Sequence, residues 1–186
     1  SWNVSNCGVG AKTSYMRISI STTEYNQLKP LEGIVRPVNP VSTAPGSTWI
    51  ASADIDGATT PSSVTEGKVL TAGTAGGVYY RFALVSTGTG SYELAIWNNN
   101  DTADAIYISL GSVIYRGPRN TLQISLDPAG NIDYYYLSPV VGDELVYTQV
   151  GAYQKDTNVW SLQAFGLGSE NYGGSGYWAF WENAYA

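Results

Sequence analysis

The sequence predicts an all-β fold, an antiparallel β-sandwich or jelly roll of ten or more short strands with little or no helix. Three observations carry that expectation. Apolar residues recur at every second position in short runs; no stretch keeps a 3.6-residue apolar period between a cap and a stop; Gly, Pro, Asn and Asp separate the runs. The runs are spaced at ~8–12 residues, and no helical crossover of the kind a parallel sheet needs lies between them.

Taken in order, residues 1–12 read as a loosely ordered arm, and residues 14–21 as a strand with Tyr15, Arg17 and Ser19 on one face. Residues 30–46 hold Pro30, Pro37, Pro40 and Pro45. Proline cannot donate to a ladder, so this segment reads as a long loop and not as a central strand. Strands follow at 49–54 and 68–71, then at 78–85 with Val78, Tyr80, Phe82 and Leu84 on one face. The loop 86–91 leads into 91–98, where Tyr92, Leu94 and Ile96 oppose Glu93, Ala95 and Trp97. Residues 105–110 and 112–116 are read as the next two strands. The clearest hairpin joins 121–126 to 131–137 through Asp127-Pro128-Ala129-Gly130-Asn131, in which Pro presets φ and Gly accepts φ > 0. Segments 145–151, 159–165 and 176–182 complete the set, and no composition break divides residues 1–186 into more than one domain.

Composition excludes much chemistry. The 186 residues carry 9 basic and 15 acidic side chains, a net charge of −6. Charged residues make up 13%, about half the ~25% of an ordinary soluble domain, yet 44% is apolar, so low charge does not mean disorder here. There is no histidine, which removes Ser-His-Asp and Cys-His nucleophiles, imidazole bases and His-ligated zinc. Cys7 stands alone, so no intrachain disulfide forms. The dispersed cations cannot make a nucleic-acid surface, and no run approaches the ~18 apolar residues of a membrane span. Aromatic choice is the positive signal. With 15 Tyr and 6 Trp against 3 Phe, the rings are mostly those with one apolar body and one polar tip, as binding surfaces use.

Four segments qualify as candidate sites. Trp97 runs directly into Asn98-Asn99-Asn100-Asp101-Thr102-Ala103-Asp104, an indole beside the fixed donors and acceptors that read sugar hydroxyls. The same oxygens raise Ca²⁺ as the one metal to consider, although Asp101 and Asp104 supply two carboxylates where Ca²⁺ takes about 6–8 oxygens. Asp54-Ile55-Asp56-Gly57 has half of a calcium-loop opening and reads better as a turn. Tyr134-Tyr135-Tyr136 must turn at least one phenol the other way, and the stretch from Tyr172 through Trp178 to Trp181 carries aromatics on both faces of a strand.

Size and a Tyr/Trp/Ser/Gly-rich β composition are similar to the small jelly-roll xylanases of glycoside hydrolase family 11. The resemblance is compositional and covers no alignable stretch. Asp133 beside Tyr134-Tyr135, and Glu170 before Asn171-Tyr172, loosely match the surroundings of that family's two glutamates, with Asp at one position and different flanking phrases. If the chain were an enzyme, the resemblance implies those two carboxylates.

The leading expectation is a non-enzymatic module without cofactor that recognises a carbohydrate or glycosylated receptor through Trp97, Asn99, Asn100, Asp101, Tyr135, Tyr172 and Trp178. Low charge and abundant Ser, Thr and Gly suit an extracellular or virion surface, as in an adhesin tip, fibre head or spike. The alternatives are a structural protein self-associating into a homo-oligomer, fibre or coat through aromatic strands, and a glycoside hydrolase.

Overall fold

The computed structural model describes residues 8–12, 15–19, 31–35, 44–55, 66–86, 92–99, 101–111, 120–138, 144–156, 158–171 and 178–185. In these, thirteen strands occur: β1 (Gly8–Lys12), β2 (Tyr15–Ser19), β3 (Leu31–Val35), β4 (Trp49–Ile55), β5 (Glu66–Thr74), β6 (Tyr79–Ser86) and β7 (Tyr92–Asn98), then β8 (Asp101–Gly111), β9 (Asn120–Leu126), β10 (Ile132–Leu137), β11 (Glu144–Gln149), β12 (Leu162–Asn171) and β13 (Trp178–Tyr185). They form two antiparallel sheets, one of seven strands in the order β1-β2-β13-β4-β9-β10-β11 and one of six in the order β3-β12-β5-β6-β7-β8. The antiparallel sandwich expected from the alternation is what the chain builds. Helix among the described residues is confined to a 3-10 turn at Ala152–Gln154.

Alternation decides which residues meet between the sheets. Trp49, Ala51, Ala53 and Ile55 of β4 join Leu122, Ile124 and Leu126 of β9 and Ile132, Tyr134 and Tyr136 of β10. Facing them are Leu70 and Ala72 of β5, Tyr80, Phe82 and Leu84 of β6, and Tyr92, Leu94 and Ile96 of β7. All are buried, and at ~25 cal/mol per Å² of apolar surface removed from water they supply the main driving force for the layer. Phe82 and Tyr134 meet edge-on across the layer, ring centroids 5.6 Å apart at 72°.

The expected hairpin is β9–β10, paired from Thr121↔Leu137 to Leu126↔Ile132. Asp127 closes it, its Oδ1 accepting the Ala129 and Asn131 amides at 2.8 and 2.9 Å. Gly130 has φ 85, and a Cβ there would also lie 2.6 Å from the Tyr153 ring, so glycine is required twice over.

Two segments differ from the sequence reading. Leu31–Val35, inside the proline-rich 30–46 segment, forms strand β3, which pairs with β12 alone. The five residues between Pro30 and Pro37 used here contain no proline, and an edge strand needs donors on only one side. Gly8–Lys12, within the expected arm, likewise forms an edge strand against β2. The strand expected at 112–116 lies outside the described residues.

A buried carboxylate pins the far end. Asp156 follows the 3-10 turn, is 1% exposed, and accepts the Asn158 amide at 3.0 Å on Oδ1 and the Thr74 hydroxyl on Oδ2. It occupies the space a Gly76 side chain would need, since a Cβ there would lie 1.6 Å from Oδ1. Burial raises the Asp156 pKa, partly offset by the Asn158 amide. The folded state therefore holds this proton to higher pH than the unfolded chain does. Its contribution to stability is complete below the ordinary carboxylate pKa and falls as pH rises through the window up to the raised value. Urea melts across that window should show the decline in the wild type and lose this component in Asp156→Asn, whose amide can still bond Thr74 and Asn158. Asp156→Ala should cost roughly 1–3 kcal/mol at low pH, and the cost should shrink as pH rises through the same window. An Asp156→Asn profile parallel to wild type would refute the assignment.

Candidate side pocket between strands β7, β8 and β11

β8 is the last strand of one sheet and β11 the last of the other, and between their margins lies a pocket of about 190 Å³. Its apolar lining is Ile96, Ile106 and the rings of Trp97 and Tyr147. Its polar lining is Asn98, Gln149, Asp104 and Lys155.

Strand period places most of these groups. On β7 the inward series Tyr92, Leu94, Ile96 ends in Asn98; on β11 Leu145 and Tyr147, both packed against the core, are followed by Gln149. Each series thus puts an amide where the next apolar residue would fall, at the margin where the layer opens. Gln149 is held from within, its Oε1 accepting the Tyr134 hydroxyl at 3.1 Å. Tyr134 is buried, and burial, then its neighbours Tyr80 and Tyr147, push its pKa well up, so the phenol stays a donor. Its ring lies 6.2 Å from that of Tyr147, which links the core to the pocket wall. Asn98 Oδ1 is buried and has no hydrogen-bond partner among the described residues. Asp104 and Lys155 are exposed at the rim and take no ion-pair partner among the described residues.

The expected ligand residues divide between this pocket and other places. Trp97 lines the pocket but is only 6% exposed, packed with Val69, Ala83 and Ala95 on the face of the six-stranded sheet turned away from the interior. It offers an edge and no open stacking face, because the short side chains around it let the indole lie flat against the sheet. Asn99 serves the turn. It holds φ 53, its Oδ1 accepts the Tyr79 amide at 3.0 Å, its amide donates to Tyr79 O at 2.7 Å, and its carbonyl accepts from Arg81. Asn100 and Tyr172 lie outside the described residues, as do the side chains of Asp101 and Trp178; Asp101 opens β8 and Trp178 opens β13.

Tyr135 is half-buried on the outward face of the seven-stranded sheet, away from the pocket. Its hydroxyl bonds Ser125 and Asp133, and desolvation, then the charges of Asp133 and Glu144, raise its pKa. Asp133 also accepts the Thr148 hydroxyl at 2.6 Å. Asp133 and Glu170 are not brought together: β10 belongs to one sheet and β12 to the other, and Asp133 points outward, so more than the ~10 Å sheet spacing divides them. Among the described residues no three His, Cys, Asp or Glu side chains gather around a point that could hold a metal. Among the described residues, the rings of Trp49, Tyr80, Tyr92, Tyr134 and Tyr136 are buried between the sheets, and those of Tyr107 and Tyr153 are exposed.

Sequence reasoning missed Tyr147, Gln149 and Lys155. The signal for the first two was a polar residue closing an inward series; Lys155 carried none, since a 3-10 turn positions it.

No protein-family model and no curated protein matches this sequence. Solved structures match its fold. The Crh5 transglycosylase is 12% identical at TM-score 0.56, over 99% of this chain and 79% of its own. The Bacillus licheniformis β-glucanase is 12% identical at TM-score 0.53, over 97% and 84%. The CBM2 module of the evolved Dit of Lactobacillus casei BL23 phage J-1 is 11% identical at TM-score 0.52, over 96% and 76%. At such identities the likeness defines one thing, a β-sandwich of the jelly-roll kind.

The Asn99 turn makes a prediction that reverses the usual order of substitutions. Asn99→Gly keeps the left-handed backbone and loses one hydrogen bond; Asn99→Ala loses the bond and adds ~1 kcal/mol or more of backbone strain. Chemical denaturation should rank wild type above Gly and Gly above Ala, and Ala at or above Gly would contradict the geometry.

Proposed function

We propose that this chain is a non-catalytic carbohydrate-binding module and that the side pocket is its binding site. The observation that carries the reading is a small, open concavity that pairs one aromatic wall, Tyr147, with amides held at a strand margin, one of which carries an unpartnered buried acceptor. Aromatic rings pack on the apolar C–H face of a pyranose, and fixed amides read the hydroxyl directions. Its volume of about 190 Å³ is below the ~300–1,000 Å³ of pockets for drug-sized ligands, which suits one sugar ring. Having no histidine, the chain lacks the side chain whose ordinary pKa lies near neutrality, so binding is expected to be flat from about pH 6 to 8. Support also comes from fold neighbours named as a carbohydrate-binding module, a glucanase and a transglycosylase. The phage origin of the first agrees with a place on a virion or in the extracellular space.

A glycan array followed by calorimetry tests this. Gln149→Ala and Tyr147→Leu should each weaken a sugar hit about tenfold, a loss of ~1.4 kcal/mol, while circular dichroism stays that of the folded protein. A folded protein silent across a broad array overturns the reading.

One observation favours hydrolysis as a second reading. Asp54 of β4 and Glu182 of β13 are direct register partners on neighbouring interior strands of the seven-stranded sheet. Residues so placed have Cβ atoms ~4.5–5.5 Å apart, and like charges there are unfavourable. Retaining glycosidases act through two neighbouring carboxyl groups, and adjacent register partners are a backbone arrangement from which such a pair can be built. Asp54 Oδ1 accepts the Thr121 hydroxyl at 2.6 Å. Release of reducing sugar from xylan or β-glucan, abolished in both Asp54→Asn and Glu182→Gln, would replace binding by catalysis; no release from either polymer would remove this reading.

A further inference from the structure

The hydrogen-bonding inventory of the side pocket is uneven in a way that selects its ligand. Asn98 Oδ1 and the Asp104 carboxylate can only accept; Lys155 can only donate; Gln149, whose Oε1 is taken by Tyr134, has its Nε2 protons left to give. A carboxylate or phosphate would satisfy the two donors, yet it would leave the buried Asn98 oxygen unpaired and bring its charge beside Asp104. An amine would satisfy the two acceptors and face the Lys155 ammonium. A hydroxyl both donates and accepts, and an uncharged polyol meets all four groups at once. The rims carry one charge of each sign, so neither ionic class gains a net field.

Resting on the carbohydrate reading above, we infer that the pocket takes the terminal ring of a neutral glycan end-on. In that pose the Asn98 side chain, whose Oδ1 is covered in the empty pocket, turns its oxygen toward the ring and accepts from a hydroxyl, neighbouring hydroxyls bridge Asp104 to Gln149 and Lys155, and Tyr147 borders the C–H face. End-on entry follows from size: about 190 Å³ accommodates one ring, and a chain threaded through would need room on both sides of it. Asn98 decides the matter energetically. A buried acceptor without a donor costs free energy in the empty protein, so a hydroxyl that supplies the donor recovers that cost on binding. The acceptor also disfavours a carboxylate directed at it, because that would bring an acceptor to an acceptor.

The experiment is isothermal titration of the full chain with three panels: neutral mono- and oligosaccharides, uronic or sialic acids, and inorganic phosphate. The wild type should bind a neutral sugar and bind oligosaccharides that share its terminal ring no more than about threefold tighter than the single ring. Asp104→Asn should weaken the neutral sugar about threefold or more, since a charged acceptor is lost, and raise the affinity of the acidic panel relative to the neutral one at least tenfold. Asn98→Leu should lower neutral-sugar affinity about fivefold or more while leaving the denaturation midpoint equal or higher, since it removes an unpaired buried polar atom. Should Asn98→Leu fail to fold, Asn98→Ala, which removes the acceptor without adding bulk, serves as the second variant and should show the same loss. Preference of the wild type for uronates or phosphate, or affinity that keeps climbing with chain length beyond the first ring, overturns the inference and leaves the carbohydrate reading standing. Absence of binding to any sugar overturns both.

Discussion

The interior of this sandwich is filled to a large extent by phenols, and a buried hydroxyl must find a partner. That single requirement shapes the margins of the layer. Tyr136 reaches the Asn120 side chain at 2.9 Å and Tyr134 reaches Gln149 at 3.1 Å, so these two rings end on amides at strand ends, while the equally buried Tyr80 hydroxyl has no partner among the described residues. Phenylalanine would fill the same volume without these tethers. The abundance of Tyr over Phe, which in the sequence suggests outward rings, is in good part the signature of a core whose polar tips are used to place amides at its rim. Gln149 is the consequence that matters most, because the bond that satisfies Tyr134 also fixes which end of the amide faces the pocket.

The fold was legible because its determinants are local. Period-2 alternation names the inward residues of β6, β7, β9 and β10 correctly, and the turn chemistry of Asp127 to Asn131 sets the hairpin register. The site was less legible because its residues come from three places far apart in sequence, Ile96 to Ile106, Tyr147 to Gln149, and Lys155, which only the packing of one sheet on the other, with β8 and β11 at their margins, brings together. Trp97 and Asp104 were found by their residue type. Asn99 was misassigned for a physical reason: Asn is favoured both in binding loops and in left-handed turns, and only the backbone angle separates the two uses. Asp133 and Glu170 failed as a pair because strand order, and not distance along the chain, decides which sheet a residue enters.

The same strand-order logic yields the Asp54–Glu182 pair, which no spacing in the sequence betrays. β13 inserts between β2 and β4, so the last strand of the chain supplies the partner for a residue of the fourth. Placement of β12 between β3 and β5 in the other sheet follows the same pattern. The late strands occupy interior positions, and the sheets are completed only when they enter.

Binding and hydrolysis ask different things of a sandwich, and here they fall on different surfaces. The pocket sits at the open margin between the sheets, where strand ends supply amides and one carboxylate; two carboxylates flanking one bond are absent from its lining. The outward face of the seven-stranded sheet has the register for such a pair, at Asp54 and Glu182, but its described centre is a closed network in which Tyr135, Ser125, Asp133 and Thr148 satisfy one another. A group already paired within the protein gains little by turning to a ligand, whereas an unpaired buried acceptor gains a full hydrogen bond. On that comparison Asn98 is the polar group from which the proposed binding site would gain most, ahead of the more numerous polar groups of the sheet face.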